Sequence, residues 1–346
     1  MGKYKRKANI PVFIPHLGCP NACVFCDQKM ISGHGAFDFS SVAREIDEAL
    51  STLGDCPHRE IAFFGGSFTG INRDLMIRLL DLAQQYVERG AVHAIRLSTR
   101  PDYIDHEILT ILSRYAVRTV ELGIQSMDDR VLAASRRGHD SAASELACRQ
   151  IKSFGFDLVG QMMIGLPDAD GASERRTAER IIALGANAAR VYPTVIFRHT
   201  ELCRMAQSGG YRPMSEEEML QRTADVLELF DDAEIPVIRV GLCASETLSS
   251  SEAVWGGANA SAVGELAMGE VFYRRMRKAL LASRSHGEEV IFSVPSGATS
   301  RAVGQRRKNT ERLCSEFHLR RIRICEDPQW HGYQTQLLYT KSEENP

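Results

Sequence analysis

Phe-Ile-Pro-His-Leu-Gly-Cys-Pro-Asn-Ala-Cys-Val-Phe-Cys-Asp-Gln-Lys-Met-Ile-Ser-Gly occupies residues 13–33 and sets Cys19, Cys23 and Cys26 at the spacing C-x-x-x-C-x-x-C. Thiolates are soft ligands suited to iron–sulfur clusters or zinc. A 4Fe–4S cluster takes a cysteine on each of its irons, so three close cysteines suggest a cluster with one iron open to a small molecule. The competing reading is a structural zinc of Cys3His type, with His16 or His34 as the fourth ligand. Zinc motifs usually come as two separated pairs, and no second pair follows here. A disulfide is disfavoured in a cytosolic chain, whose thiols stay reduced. Phe25, just before the last cysteine, is either packing or a flat apolar surface for an adenine.

Outward from this stretch the chain alternates. Residues 10–14 are short and apolar and read as a buried strand; the cysteines lie on the loop that follows, where function is usually carried. Further strands are expected over residues 61–64, 94–98, 118–124, 157–164 and 188–196. Helices are expected over 41–53, 72–87, 104–115, 141–154, 174–184 and 215–230. Ser215 with Glu218 three residues on reads as a capping box. Strands alternating with helices mean a parallel sheet. Beyond residue 240 the pattern changes: 245–251 and 256–262 read as loops, 265–282 and 302–317 as helices, and 289–294, 320–325 and 333–339 as strands. This divides the chain into a core of residues 1–245 and a small α/β appendage of residues 246–346, with a frayed tail from residue 341.

The 346 residues are 44% hydrophobic and 25% charged with a formal net charge of -2, an ordinary globular composition. That charge exerts no global pull toward nucleic acid. Nine cysteines, an odd number, do not look like a disulfide framework. Cys56, Cys148, Cys203, Cys243, Cys314 and Cys325 are expected to pack as small hydrophobes. The basic N-terminus leads into no signal-peptide core and no apolar run is long enough to span a bilayer, which predicts a soluble cytoplasmic protein without a membrane partner.

C-x-x-x-C-x-aromatic-C on a loop after the first strand resembles the signature of the radical S-adenosylmethionine (radical SAM) superfamily. Gly65-Gly66-Ser67, Ser98-Thr99-Arg100-Pro101-Asp102-Tyr103, Glu121-Leu122-Gly123-Ile124-Gln125-Ser126, Gly165-Leu166-Pro167 and Arg190-Val191-Tyr192-Pro193-Thr194 extend the likeness from about residue 10 to about residue 245. The whole looks most like the catalytic subunit of Elongator and its bacterial relatives, and is more distantly similar to oxygen-independent coproporphyrinogen oxidase. The resemblance implies a partial (β/α)6 TIM-type barrel, with its active site at the C-terminal ends of the strands. It implies a 4Fe–4S cluster on Cys19, Cys23 and Cys26, and S-adenosylmethionine on the open iron. It also implies an electron donor such as a flavodoxin or ferredoxin, and reductive cleavage of S-adenosylmethionine to methionine and a 5′-deoxyadenosyl radical. By the same resemblance Gly65, Gly66 and Ser67 meet the methionine amino group, Glu121 and Gln125 the ribose or methionine end, Arg137 the carboxylate, and Gln161 and Phe25 other parts of the cofactor. Arg136 is the rival to Arg137.

Ser98 departs from the family, which often has a glutamate at the end of the third strand. These 346 residues hold nothing resembling the acetyltransferase domain of Elongator or the long basic N-terminal extension that helps it bind transfer RNA, so the complete Elongator reaction is not expected to transfer. Arg301, Arg306, Arg307, Lys308, Arg312, Arg320, Arg321 and Arg323 crowd the appendage and read either as a phosphate grip for tRNA or as a solvated face. Arg198 and Thr200 are expected at the barrel mouth. Two other functions compete: an oxidoreductase acting on a small molecule, and a cluster-containing nucleic-acid-binding protein without turnover.

Overall fold

The computed structural model describes residues 7–14, 17–19, 23–27, 37–54, 56–242, 253–257, 262–283 and 289–341. His16, His34 and Cys243 lie outside the described residues.

Seven parallel strands, β1 (Lys7–Phe13), β2 (His58–Phe64), β3 (Ala94–Thr99), β4 (Val117–Gln125), β5 (Asp157–Ile164), β6 (Ala188–Pro193) and β8 (Val237–Val240), form one sheet in that order. Successive units are neighbours and the sheet curls into a half-barrel, so the partial barrel stands, with β8 as a further strand. Val120, Leu122 and Ile124 of β4 are buried under the helices, while the alternate residues Thr119, Glu121, Gly123 and Gln125 face the concave side.

The helices of the wall are α1 (Val42–Thr52), α2 (Arg73–Glu88), α3 (His106–Leu112), α4 (Asp129–Ala134), α5 (Ser141–Ser153), α6 (Gly171–Ala183), α7 (Glu201–Gln207) and α8 (Glu216–Asp232). Their starts follow from local chemistry. Asn72, Asp105, Asp128, Asp140, Asp170, Thr200 and Ser215 each accept a hydrogen bond from a backbone N–H of the first turn. Asp105 starts α3 later than the apolar pattern alone suggests. The reciprocal capping box occurs at Asp170 and Ser173.

The expected strand over 188–196 is cut at Thr194, whose N–H and hydroxyl both donate to the Ile164 carbonyl, at 2.9 and 2.7 Å. The chain then forms β7 (Val195–Phe197), which pairs antiparallel with β9 (Val254–Gly257). Gly256 and Gly257 are therefore strand, not loop.

The second sheet has β10 (Glu289–Pro295) between β11 (Arg321–Asp327), parallel to it, and β12 (Gln336–Lys341), antiparallel. Helix α9 (Val263–Ala282) joins the two bodies: Ala267 and Val271 sit in the barrel's core, while Phe272, Met276 and Leu280 sit in the core under the second sheet. The expected helix over 302–317 is broken into α10 (Thr299–Val303), a turn of 3-10 helix and α11 (Lys308–Phe317). The break falls at Gly304, at φ 79°, with Arg306 and Arg307 at φ 52° and 64°, and the buried Asn309 amide nitrogen secures it by donating to the carbonyls of Gly269, Arg301 and Ala302. Cys325 is exposed on β11 rather than packed, because Ile322 and Ile324 take the inward positions of that strand. The eight described cysteines are free of disulfides, and no helix among the described residues is long and apolar enough to cross a membrane.

Candidate cofactor site at the strand ends

The cysteine loop is locked onto the end of β2 by close backbone contact. Ser67 N–H donates to the Leu17 carbonyl at 3.2 Å. A Cβ on Gly66 would lie 2.5 Å from the Leu17 oxygen and 2.8 Å from that of Ile14. Gly18, at φ 72°, abuts the Ser67 carbonyl and Gly70 in the same way. Gly66 thus makes room for the loop's own backbone. Val24 ties the other side, donating to the Ser135 carbonyl at 3.2 Å and accepting from Leu202 N–H at 2.8 Å. Phe25 is half-buried against a small apolar cluster of Val24, Ile196, Leu202 and Cys203, with Tyr211 and Trp255 alongside.

Cys23 is buried, and Cys19 and Cys26 are half-buried. Burial pushes the Cys19 thiol above its ordinary value, against the pull of Arg100 and Arg137. Arg137 Nη1 lies 3.3 Å from the Cys23 sulfur, and its Nη2 donates to the Gly123 carbonyl at 2.6 Å. Its Nε is buried with no partner among the described residues. Arg136 takes φ 52°, so the two neighbouring arginines point apart: Arg137 is 5% exposed, while the side chain of Arg136 is 64% exposed beside Glu201. Next to Arg137, burial and then the Arg137 charge hold His139 neutral, with its value lowered to about 4.

β4 ends in a strained turn. Ser126 N–H donates to the Ile124 carbonyl at 2.9 Å across Gln125, which sits at φ 67°. This is a γ-turn of the rare hand, and such strain clusters at ligand sites. It brings the Gln125 oxygen to 3.4 Å from the Gln161 amide of β5. Gly123 leaves the room: a Cβ there would lie 3.0 Å from the Gln125 amide nitrogen and 3.4 Å from Arg137 Nη2. Ser67 is fully buried, its hydroxyl 2.9 Å from that of Thr99 and accepting from Arg100 N–H at 3.3 Å. Ser98, the departure from the family, donates to the Phe63 carbonyl. Gly165 is held by the Glu174 carboxylate on its N–H and the Tyr211 hydroxyl on its carbonyl, 2.6 Å each. Thr200 is committed to capping α7.

Glu121 is 2% exposed and is shared by two guanidiniums, Arg96 Nη1 at 2.7 Å and Arg190 Nε at 2.7 Å. Arg96 also pairs with Glu60 at 2.8 Å, and Arg190 donates to the Tyr192 hydroxyl. This chain of charges spans β2, β3, β4 and β6 beneath the strand ends, and both oxygens of Glu121 are engaged within it. Sequence reasoning assigned no role to Arg96 and none to Arg100. Glu121→Ala removes the shared carboxylate from two buried cations, an effect expected to cost about 3–5 kcal/mol. A lower urea midpoint at unchanged slope is the measurement; an unchanged midpoint would show that the network adds nothing to stability.

Among the described residues no three of His, Cys, Asp or Glu are gathered closely enough to enclose a single metal ion. In the appendage half of the basic run is paired: Arg301 with Glu265, Arg312 with Glu270 and over the Tyr273 ring, Arg320 and Arg323 with Glu289. Arg306, Arg307 and Lys308, at the break before α11, are exposed and have no acidic partner among the described residues.

The chain matches the Radical SAM superfamily over residues 13–181 and the Radical_SAM C-terminal domain over residues 186–270. Elongator complex protein 3 of Mus musculus is 30% identical over 206 residues, which are 53% of this chain and 37% of that protein. The tRNA uridine(34) acetyltransferase of Methanocaldococcus jannaschii is 27% identical over 143 residues, 40% of this chain and 26% of that one. The matches thus span well under half the length of both relatives. The structure of Methanocaldococcus infernus Elp3 with an N-terminal deletion (1–46) superposes with a TM-score of 0.60 at 21% identity, covering 80% of this chain and 64% of that one. The half-barrel, the cysteine loop at its strand ends and the two family matches together establish that the chain is an enzyme belonging to the radical SAM superfamily, and its core is similar to that of Elongator complex protein 3.

Proposed function

We propose that Cys19, Cys23 and Cys26 hold a 4Fe–4S cluster and that the strand ends around them bind S-adenosylmethionine for reductive cleavage. The observation that carries this reading is Arg137: a buried guanidinium beside the Cys23 sulfur, with one donor, Nε, unpartnered among the described residues. The donor set fits the cluster. Three free thiols on one loop leave one iron of four without a protein ligand, and two guanidiniums at one sulfur suit a thiolate bound to an anionic cluster. When bound, the cluster would supply the electron that breaks the carbon–sulfur bond of S-adenosylmethionine, yielding methionine and a 5′-deoxyadenosyl radical.

The chain's residues supply binding and exclusion of water. Arg137 offers its positive charge and its remaining donor, Nε, to the methionine carboxylate. Gln125 and Gln161 present amides to the ribose hydroxyls, and the turn at Gly65, Gly66 and Ser67 presents backbone to the amino group. Phe25 gives the adenine an apolar surface. Glu121 serves the site by holding Arg96 and Arg190 under the strand ends. The electron donor is of the flavodoxin or ferredoxin kind, the setting is cytoplasmic, and residues 1–245 and 246–346 act as core and appendage.

A tRNA substrate is supported by the similarity to an archaeal tRNA uridine(34) acetyltransferase and by Arg306, Arg307 and Lys308, which are exposed and have no acidic partner among the described residues. Anaerobic reconstitution, reduction with dithionite and addition of S-adenosylmethionine should release 5′-deoxyadenosine; none from a fully loaded cluster would overturn the reading. With tRNA, affinity should fall with salt at a log–log slope of about −0.7 per phosphate contact in single-stranded regions. Changing Arg306, Arg307 and Lys308 together to Glu should weaken that binding while leaving uncoupled cofactor cleavage intact. Binding insensitive to this change would point to a small-molecule substrate instead.

A further inference from the structure

Arg100 follows β3, is 4% exposed, and is held on three sides. Its Nε and Nη2 donate to the two oxygens of Asp102, at 2.9 Å each. Nη2 also donates to the main-chain carbonyl of Arg137. What remains is Nη1, and it lies 3.7 Å from the Cys23 sulfur, which Arg137 Nη1 approaches at 3.3 Å. One sulfur therefore meets two guanidiniums, and the first of them braces the backbone that carries the second.

We propose that Arg100 is a positioning residue that raises the reduction potential of the cluster bound through Cys23, by donating to its thiolate and by holding Arg137 against the same sulfur. The inference rests on the cluster reading above. Reduction adds negative charge to a cluster and its thiolates, so a fixed positive donor stabilises the reduced form more than the oxidised one. Hydrogen bonds to the sulfurs and net local charge are among the levers that set such potentials. Both gain force where water is excluded. Asp102 takes two of the guanidinium's nitrogens and so aims the third, a task that needs the rigid fork of arginine and that the single ammonium of lysine does not perform. Arg137 can then meet an incoming carboxylate through its free Nε without leaving Cys23 short of a donor.

The test is a redox titration of the full chain, reconstituted anaerobically, followed by electron paramagnetic resonance, with iron counted in each sample. Arg100→Gln at wild-type iron content should titrate at a more negative potential than the wild type, and Arg100→Lys should fall between the two. Arg100→Gln with full iron and the wild-type potential overturns the inference. Should Arg100→Gln fail to hold iron, Arg100→Lys decides: a negative shift at full iron supports the inference, and the wild-type potential overturns it. Loss of iron from both variants with the fold intact by circular dichroism would make Arg100 a structural residue and also overturn it. A wild-type chain that takes up no cluster sinks the cluster reading itself, an outcome separate from a cluster whose potential ignores Arg100.

Discussion

Cys19→Ala, Cys23→Ala and Cys26→Ala should each lose most of the iron of the anaerobically reconstituted protein, while the wild type holds about four irons per chain. The loss should be large because the loop offers three thiols and no spare: Cys203 is buried in the apolar cluster with Val24, and Cys56, Cys148, Cys314 and Cys325 belong to other parts of the fold. Burial pushes the Cys148 thiol up to about 12, which makes it inert as a ligand at neutral pH. Replacing any of these five by Ala should leave iron uptake unchanged. Cys23→Ala should be the most damaging of the three, since it also removes the sulfur that two buried guanidiniums approach. Iron analysis with the visible absorbance of the cluster is the measurement. Near-normal iron in all three variants would remove the cluster from this loop.

Arg137→Ala should weaken S-adenosylmethionine binding by roughly ten- to a hundredfold, from a charge-assisted contact worth about 1.5–3 kcal/mol. Arg136→Ala should leave affinity unchanged, because that side chain points to solvent beside Glu201. Arg137→Lys should fall between, keeping the charge but losing the fork. Calorimetric titration of the reconstituted protein separates the three. Equal affinity in Arg137→Ala and the wild type would take the carboxylate away from this residue.

The sequence by itself determined whatever depends on neighbours a few residues away. The alternation of strands and helices, the cap at Ser215, and the spacing of Cys19, Cys23 and Cys26 are local, so the parallel sheet and its cysteine loop were legible, while the half-barrel followed from the family resemblance. Arg137 and its rival Arg136 were both legible as well, but not which of them faces inward. That choice comes from the φ of 52° at Arg136, a backbone state that no side-chain pattern announces. The partners of buried charges were hidden for a related reason. Glu121 meets Arg96 and Arg190 across 25 and 69 residues, and Arg100 meets Cys23 across 77. A buried carboxylate in a strand demands a partner, yet the demand does not say which cation answers it. The same holds for the break before α11, where helical spacing continues through residues 302–317 but Asn309 finds the Gly269 carbonyl 40 residues away. Periodicity reports which face of an element is apolar. Only the tertiary structure decides which distant polar groups satisfy each other once water is excluded, and those pairings set the orientation of every cation around Cys23.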